Sequence, residues 1–380
     1  MGGKKQEYYR LNNILPNRAT YNLLLGERSN GKSYSVKEAV LWQAYNECDY
    51  CEYITSGNKV HCDRYMFGYL RRWRDEIKSR DVEKYFDDFA GDRILEITNG
   101  EYNSIICYRQ DIYFSKIDEN GVVKRGKMIG STFAINSATH YKSLAFPNIG
   151  IVIFEEFITD SGYLPNEVRS LDSIISTIAR RDFIYVFLIG NTINRMCPYF
   201  DEWQLTHVKR QEIGTIDIYN QTTEQVDENG NNIVVKIAVE YCANSGNNSK
   251  MFFGNRTKSI TSGVWETHTY PHLDKPFTDY QCIYKILYRY GTFSFVLNLL
   301  KTENNEPFIF VYPSTKDSRG KIKRIISTDY TTDRFTTKYL TELTKYDSLM
   351  LNLINNDKVV FSDNLTGTEF YQIKKERGRF

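Results

Sequence analysis

The stretch that decides the fold is Gly26-Glu27-Arg28-Ser29-Asn30-Gly31-Lys32-Ser33, a complete G-x-x-x-x-G-K-S pattern. Before it comes an apolar run, Tyr21-Asn22-Leu23-Leu24-Leu25, and after it residues 34–45 repeat apolar side chains at helical spacing. A strand, a loop and a helix in this order are the context that a phosphate-binding loop requires. The sequence therefore predicts a buried strand over 21–25, a nucleotide-binding loop and a helix over 34–45.

The residue types of the loop suit phosphate chemistry. Glycines let the backbone curl so that its N–H groups and the next helix N-terminus point at a β-phosphate. Lys32 would bridge the β- and γ-phosphates of ATP, and Ser33 would give a hydroxyl ligand to Mg²⁺. A glycine-rich turn that matches by chance is the alternative. The predicted nucleotide-binding residues are Gly26, Glu27, Arg28, Ser29, Asn30, Gly31, Lys32, Ser33 and Tyr34.

A second motif points to hydrolysis rather than binding alone. The continuous apolar run 149–154 reads as a strand buried on both faces, and it ends in Glu155 and Glu156. Ligands bind at that edge of an open α/β sheet. Glu155 is predicted to hold Mg²⁺ and Glu156 to polarise the attacking water, although the first acid is usually Asp. Two solvated acids at a strand end are the alternative.

Two further polar features flank the next predicted strand, Phe183 to Ile189. Asn191 follows it and is either a sensor of the γ-phosphate or a plain turn residue beside Gly190. A predicted amphipathic helix, Val168 to Arg181, ends in Arg180 and Arg181. These are either arginine fingers for the nucleotide of a neighbouring subunit or cations favoured by the helix dipole.

Several stretches resemble the DNA-packaging (encapsidation) ATPases of phi29-like phages, which are related to the large-terminase motors. The first stretch is Phe146 through Ile158, the second is Tyr163-Leu164-Pro165-Asn166-Glu167-Val168, and the third is Asn191 through Pro198-Tyr199-Phe200. The stretch Phe67-Gly68-Tyr69-Leu70-Arg71-Arg72-Trp73-Arg74 is similar to the second-strand segment of the family. The resemblance is strong over 14–200 and fainter over 282–338.

The resemblance implies an ATP-driven motor that moves double-stranded viral DNA into a preformed procapsid through its portal. It implies a homo-oligomeric ring of five subunits acting in the host cytoplasm and absent from the mature virion, and some relatives use a structural packaging RNA. Carried over by position, Arg28 falls on the arginine inside the family's loop, Arg180 or Arg181 on the arginine acting in trans, and Arg74 on a basic residue between subunits.

Net charge gives no general attraction to DNA. The chain of 380 residues carries a formal charge of only +2, so any grip on phosphates must come from local patches. The candidates are Lys124, Arg125 and Lys127 at a predicted hairpin and Lys142 before the acidic strand. Ordinary solvated surface is the alternative for each.

The seven cysteines show no paired secretory pattern and are expected to be reduced. Four possible zinc ligands are Cys48, Cys51, His61 and Cys62. However, His61 and Cys62 are adjacent, and adjacent side chains of an extended segment point to opposite faces, which makes it awkward for both to join one tetrahedral site. No apolar run approaches the ~20 residues of a membrane span, so a protein without membrane partners is expected in the cytoplasm.

The predicted fold class is α/β. Residues 1–205 would form an ASCE-type P-loop ATPase domain with a mostly parallel sheet, antiparallel additions near 102–133 and a turn at 118–121. Residues 206–248, with a turn signal at 227–230, would be a linker or lid. Residues 249–380 would be a smaller β-rich α+β domain with a helix near 336–355, resembling an inactive RNase H-like nuclease fold.

Three functions remain open from sequence. The strand 308–312 ends in Pro313-Ser314 where a nuclease would need an acid, which favours a motor without cutting activity. Asp317, Asp329 and Asp333 keep a terminase-like motor with nuclease activity as an alternative. The third possibility is a structural adaptor that binds nucleotide without hydrolysing it.

Overall fold

The computed structural model describes residues 9–28, 30–159, 162–180, 182–192, 196–226, 230, 232–242, 268–290, 293–314, 322, 324–327, 336–337 and 344–377. Its internal contacts divide the chain into two compact units, residues 1–265 and 266–380. Among these described residues, each unit contains one sheet. The protein is therefore a mixed α/β chain with two sheets, as the sequence predicts.

The first unit is built on a nine-stranded sheet in the order β3-β4-β5-β2-β6-β7-β1-β9-β8. The six strands from β5 to β9 in that order run parallel, and the outer pairs are antiparallel. The strands are β1 (Tyr21–Gly26), β2 (Met66–Arg71), β3 (Ser104–Tyr108), β4 (Asp111–Ile117), β5 (Val123–Ala134), β6 (Ile149–Glu155), β7 (Tyr185–Asn191), β8 (Ile216–Val226) and β9 (Asn232–Tyr241).

Helices cover both faces of this sheet, which is why its central strands are apolar without alternation. Alternate residues of β1 enter different cores: Leu24 packs with α1, whereas Leu23 and Leu25 pack with α5. Both cores are built almost wholly from apolar side chains. The helices are α1 (Lys32–Asn46), α2 (Tyr50–Ser56), α3 (Ser79–Tyr85), α4 (Asp92–Ile97), α5 (Glu167–Ala179) and α6 (Pro198–Glu202).

The elements predicted around the loop are confirmed with small shifts. The strand expected over 183–189 begins at Tyr185, because Phe183 is 49% exposed and lies before the sheet. The hairpin expected at 118–121 joins β4 to β5, with the amide of Asp118 donating to the carbonyl of Val122 and Gly121 at φ 78°.

The region expected to be a linker or lid differs from the prediction. β8 and β9 lie in residues 206–248, and β9 pairs with β1 in parallel, so this hairpin completes the sheet of the first unit. The polar composition misled the prediction because residues 232–234 of β9 are solvent-exposed, while residues 237–241 of the same strand are buried. The turn residues 227–229 lie outside the described residues.

The second unit contains a six-stranded sheet in the order β14-β13-β10-β11-β12-β15. β10, β11 and β12 are consecutive antiparallel strands, and β13 pairs with β10 in parallel. The helix expected near 336–355 is shorter and is preceded by a strand. The elements are β10 (Gln281–Tyr290), β11 (Phe293–Lys301), β12 (Pro307–Pro313), β13 (Arg324–Ser327), β14 (Thr336–Thr337), α7 (Lys345–Asn355), β15 (Val359–Phe361) and α8 (Asn364–Arg377).

Candidate nucleotide-binding site

The loop between β1 and α1 needs its two glycines. Gly26 has φ 145° and Gly31 has φ 95°, in the region that favours glycine. A Cβ on Gly26 would lie 3.2 Å from the carbonyl oxygen of Cys242 and 3.3 Å from Nδ2 of Asn30. Gly31 is the N-cap of α1, so the first helical N–H groups face the loop. This geometry is the one that an anion-binding helix start requires.

Lys32 lies at the start of α1 and is almost wholly buried. Its Nζ donates to the carbonyl oxygen of Glu27 at 2.6 Å and to Oδ1 of Asn30 at 3.1 Å. Burial lowers the pKa of Lys32, and the nearby Cys242, Glu155 and Glu27 oppose that shift. A buried ammonium held by neutral oxygens is poised to gain from an anionic ligand.

Asn30 is the second buried polar group of the loop. Its Oδ1 also accepts from the Lys32 amide at 3.3 Å, while its carbonyl oxygen accepts from the Tyr9 amide at 3.0 Å. Nδ2 of Asn30 is buried and has no acceptor among the described residues. An orphaned buried donor in such a loop fits a ligand rich in acceptor oxygens.

Glu155 is the last residue of β6 and is buried, whereas a solvated strand-end acid would be exposed. The Tyr85 hydroxyl donates to its Oε1 at 2.7 Å. Burial raises the pKa of Glu155, and hydrogen bonds from Tyr85 and Ser33 oppose the rise. Lys37 then contacts the Tyr85 ring, 4.7 Å from its centroid, and pairs with Asp88 at 2.5 Å. The carboxylate is thus fixed close to the loop.

Glu156 faces solvent, with 66% of its side chain exposed, and has a positive φ of 55°. A non-glycine residue in this region costs about 1 kcal/mol and persists only where the surroundings hold it. Its Oε2 accepts from the Arg71 guanidinium at 3.0 Å. The backbone turn therefore directs the second acid away from the core and toward the cleft.

A buried ion pair holds that turn from behind. Arg72 Nε and Nη2 donate to Glu167 at 2.8 and 3.0 Å, and Nη2 also donates to the carbonyl oxygen of Phe157 at 3.0 Å. The Tyr199 hydroxyl donates to Glu167 Oε1 at 2.8 Å. Arg72 Nη1 reaches the carbonyl oxygen of Glu156 at 3.4 Å. Charged groups buried in this way depend on such complete pairing.

Asn191 ends β7 directly beside the loop, because its backbone pairs in register with Gly26. The amide of Thr192 donates to the carbonyl oxygen of Gly26 at 3.3 Å. In the sheet, β7 lies between β1 and β6. Asn191 therefore lies between the loop and the two acids, where a sensor of bound phosphate would need to be.

These groups line one cleft of about 1660 Å³. Arg28 and Tyr34 lie on it and are exposed, with the Tyr34 ring 4.4 Å from that of Phe89. Ser29, also a predicted binding residue, lies outside the described residues. The cleft lining includes Arg28, Asn30, Gly31, Lys32, Ser33, Tyr34, Glu155, Glu156 and Asn191.

A carboxyl that the sequence analysis missed closes the other side of the cleft. Glu240, near the end of β9, is buried and accepts from the Tyr9 hydroxyl at 2.7 Å. Burial raises the pKa of Glu240 to about 7, and the hydrogen bond from Tyr9 opposes this rise. Glu240 in the folded state is thus partly protonated near neutral pH.

The predicted trans-acting arginine lies far from the loop of its own chain. Arg180 follows α5, which runs back from the carboxyl edge of the sheet to the opposite edge, and it donates to the carbonyl oxygen of Leu144 at 2.8 Å. Arg64 takes the role of helix-terminal cation, since it donates to the carbonyl oxygens of Ile178 and Ala179. Arg181 lies outside the described residues. Arg74 is exposed on the turn after β2.

Three of the predicted DNA-binding residues are solvent-exposed, and one is partnered. Lys124, Arg125 and Lys142 are exposed, and Arg125 lies 5.0 Å from the Tyr113 ring centroid. Lys127 pairs with Glu47 at 2.7 Å and donates to the carbonyl oxygen of Tyr45, so a structural contact accounts for its charge. Lys124 is the second residue of β5 and Lys142 lies before β6, so both are at the amino ends of strands, at the edge opposite the nucleotide loop.

Two of the four possible zinc ligands have other partners in the structure. Cys51 points into the core and donates to the carbonyl oxygen of Leu15, while His61 contacts Asp63 at 3.2 Å. In the part of the chain that the structure describes, no group of three or more His, Cys, Asp or Glu side chains is arranged to hold a metal. Among the same residues, no helix is long and apolar enough to cross a membrane.

Sequence reasoning missed two kinds of residue. Glu240 lines the cleft. The others hold the acids, or the turn that carries Glu156, in place: Arg71, Arg72, Tyr85, Glu167 and Tyr199. Glu167 and Tyr199 lie in the two family-specific stretches quoted above, at 163–168 and 191–200. These two stretches can be recognised in the sequence, but the sequence does not show that they meet at Arg72.

The fold and the site define an α/β protein with a G-x-x-x-x-G-K-S loop at the carboxyl edge of a parallel sheet, facing two acids. A sequence model of the podovirus DNA encapsidation protein (Gp16) matches residues 3–233, more than half of the 380-residue chain. The chain belongs to this family.

The similar proteins agree with that family. The chain is 28% identical over 183 residues to a DNA packaging protein of Bacillus phage B103, covering 47% of this chain and 46% of the relative. It is 26% identical over 200 residues to a DNA packaging protein of Bacillus phage phi29, covering 52% and 50%. The chain thus spans about half the length of the curated relatives it matches.

Two solved structures are similar at low identity. The Phi-28 gp11 DNA packaging motor is 19% identical, with 98% of each chain covered and a TM-score of 0.46. The N-terminal domain of the DNA packaging ATPase from bacteriophage phi29 is 22% identical, with 61% of this chain and 95% of that domain covered and a TM-score of 0.41.

Proposed function

We propose that the protein is an ATP-driven motor that translocates double-stranded viral DNA into a procapsid through the portal. One observation carries the proposal: a buried loop lysine, Lys32, and two acids, Glu155 and Glu156, meet in one cleft of a protein from the DNA encapsidation family. The strand order, with β7 between β1 and β6, supports an ASCE-type ATPase.

Each residue of the cleft then has a role toward ATP. Lys32, the α1 N-terminus and Asn30 Nδ2 would bind the phosphates, exchanging internal contacts for phosphate oxygens. Ser33 and Glu155 would hold Mg²⁺ through a hydroxyl and a carboxylate oxygen, and the ion would supply positive charge against the phosphates. Glu156 would orient and deprotonate the attacking water, with Asn191 and Arg28 contacting the γ-phosphate.

In a ring, a neighbouring subunit would add an arginine to the nucleotide site. Arg180 lies at the sheet edge opposite the loop, so it can serve a nucleotide only in a neighbouring subunit. We therefore keep Arg180 or Arg181 as the trans-acting residue and Arg74 as an interface residue. The family and its relatives support a homo-oligomer on the portal, with five subunits and a packaging RNA as finer proposals, acting in the host cytoplasm.

DNA contact is proposed at the edge opposite the nucleotide. Lys124, Arg125 and Lys142 are exposed there, and backbone contacts of this kind are independent of sequence, which packaging requires. Lys127 is a weaker candidate because Glu47 neutralises it. Because nucleotide and DNA would bind at opposite edges of one sheet, that sheet can transmit a structural change from one site to the other.

The second unit is proposed to be an inactive RNase H-like domain. Its sheet has three consecutive antiparallel strands with a fourth placed in parallel beside the first, which supports that assignment. None of its six strands, within their bounds here, contains Asp or Glu. Two-metal cleavage needs clustered carboxylates, so this favours a motor without nuclease activity. Asp317, Asp329 and Asp333 lie outside the described residues.

Phosphate release with Mg²⁺ and ATP, measured with and without double-stranded DNA, tests this function. We expect DNA to stimulate wild type and Lys32→Ala to lose about 10²-fold or more of the rate, because a phosphate-binding charge is removed. Mixing Lys32→Ala into wild type should lower activity more than in proportion if subunits act in a ring. ATP binding without turnover, with or without DNA, would instead support the structural adaptor.

A further inference from the structure

Glu240 lies on the side of the loop away from the two acids. In the sheet, β1 separates β7 from β9, and Glu240 of β9 pairs in register with Leu24 of β1. The γ-phosphate of a bound nucleotide would face Glu155 and Glu156, which follow from β6 on the far side of β7. A nucleotide held in this direction extends its nucleoside the opposite way, toward β9 and Glu240.

The cleft has room for a nucleoside on that side. Its volume of about 1660 Å³ exceeds the range of about 300–1,000 Å³ that is usual for small-molecule pockets. The lining there includes Tyr9, Asn12 and Asn13 from the segment before β1, together with Gly214 and Glu240. Side-chain amides and carboxyls are the groups that hydrogen-bond to the polar edge of a nucleobase. This end of the cleft therefore suits a base.

Tyr9 fixes the Glu240 carboxyl relative to the loop. The Tyr9 hydroxyl donates to Oε2 of Glu240 at 2.7 Å, and the Tyr9 amide donates to the carbonyl oxygen of Asn30 at 3.0 Å. The strand neighbours of Glu240 in register are apolar, Leu24 on β1 and Ile216 on β8. Each carboxyl oxygen can accept more than one hydrogen bond, so the bond from Tyr9 leaves acceptor capacity for a ligand.

The two common purines require different forms of a carboxyl. At the edge that pairs in duplexes, adenine offers an amino donor beside a ring-nitrogen acceptor, whereas guanine offers an amino donor beside a ring N–H donor. A protonated carboxyl has one donor and one acceptor and matches adenine, while a carboxylate has acceptors only and matches guanine. Resting on the proposed ATPase function, we propose that Glu240 reads the nucleobase, and that its protonation decides whether adenine or guanine binds better.

The surroundings of Glu240 set the pH at which this preference changes. Burial raises the pKa of Glu240 to about 7, and the hydrogen bond from Tyr9 opposes this rise. Tyr9 and Cys242 are the other titratable groups that interact with it, and burial raises the pKa of both, so they stay neutral near pH 7; the Lys32 cation acts on Cys242. The carboxyl is thus protonated below about pH 7 and ionised above it. Preference for ATP over GTP should therefore fall as pH rises.

Glu240→Gln tests this assignment, because a glutamine amide has one donor and one acceptor at every pH, as the protonated acid has. In wild type, the ratio of kcat/KM for ATP to that for GTP should be about three- to tenfold larger at about pH 6 than at about pH 8, the effect of one hydrogen bond. Glu240→Gln should keep the high ratio at both. Equilibrium binding of ADP and GDP should show the same pattern. A loss of folded protein lowers both nucleotides equally and leaves the ratio unchanged.

The matched control is Asp172→Asn. Burial raises the pKa of Asp172 to about 6, and this carboxyl accepts from the Tyr21 hydroxyl at 3.2 Å, but it lies on α5 and does not line the cleft. The variant should keep the wild-type ratio at each pH. The inference is overturned if the wild-type ratio does not fall with rising pH, or if Glu240→Gln retains that fall. Failure of the proposed function looks different, since wild type would then hydrolyse neither nucleotide at any pH.

Discussion

Glu156→Gln is expected to lower kcat for ATP hydrolysis by about 10²- to 10⁴-fold, the usual contribution of a positioned general base. The amide has the same shape as the carboxylate but cannot take a proton from water. ATP affinity should stay within about twofold of wild type, because the phosphates are held by the loop rather than by this side chain. Single-turnover phosphate release and equilibrium binding of ATP measure the two quantities separately.

A matched control for that variant is Glu52→Gln. Glu52 is also a partly exposed glutamate paired with an arginine, at 2.9 Å, but it lies on α2 away from the acids. It should leave kcat unchanged. If Glu156→Gln retained kcat within about threefold of wild type, Glu156 would not be the base, and the water would have to be polarised by another group.

The second large effect is on stability. Arg72→Met is expected to cost about 3–5 kcal/mol in the free energy of unfolding, because it leaves the fully buried Glu167 carboxylate without its cation. Glu167→Gln should also destabilise, since Arg72 would keep a buried charge. Urea unfolding of the full chain, followed by tryptophan fluorescence, compares the midpoints.

The double variant Arg72→Met, Glu167→Met separates charge from packing. With both charges gone, the free energy of unfolding should return most of the way to the wild-type value, because replacing a buried ion pair by apolar groups often changes stability little. Hydrolysis should not recover, since the carbonyl oxygens of Glu156 and Phe157 lose the Arg72 contacts. If hydrolysis returned together with stability, the pair would serve the fold alone and not the turn at Glu156.

The sequence was most informative where the structure is local. The loop with its flanking elements and β6 are contiguous stretches of sequence. The spacing of their apolar residues predicts the strands and the helix to within a few residues of their observed bounds. The parallel strands, which are buried on both faces, are recognisable because apolar and polar residues do not alternate along them. These features are enough to predict that Lys32, Glu155 and Glu156 lie at one sheet edge.

Long-range pairings account for what sequence could not predict. Arg72 meets Glu167, 95 residues away, and Glu240 belongs to a strand whose exposed outer half resembles a linker. A polar hairpin becomes part of a sheet only because β1 offers a free edge to β9, which is a property of the whole fold. The hydrogen bond that the buried Glu155 accepts similarly comes from Tyr85, at the end of α3 and 70 residues away.

The central claim is that this chain uses ATP to move DNA, and protection of DNA inside procapsids tests it most directly. Purified protein, portal-bearing procapsids of the same phage, double-stranded DNA and Mg²⁺-ATP would be mixed and then treated with nuclease. The account predicts protected DNA with wild type and ATP, and none with Lys32→Ala or without ATP. Protection that persists with Lys32→Ala, or vigorous ATP hydrolysis with no protected DNA, would contradict it.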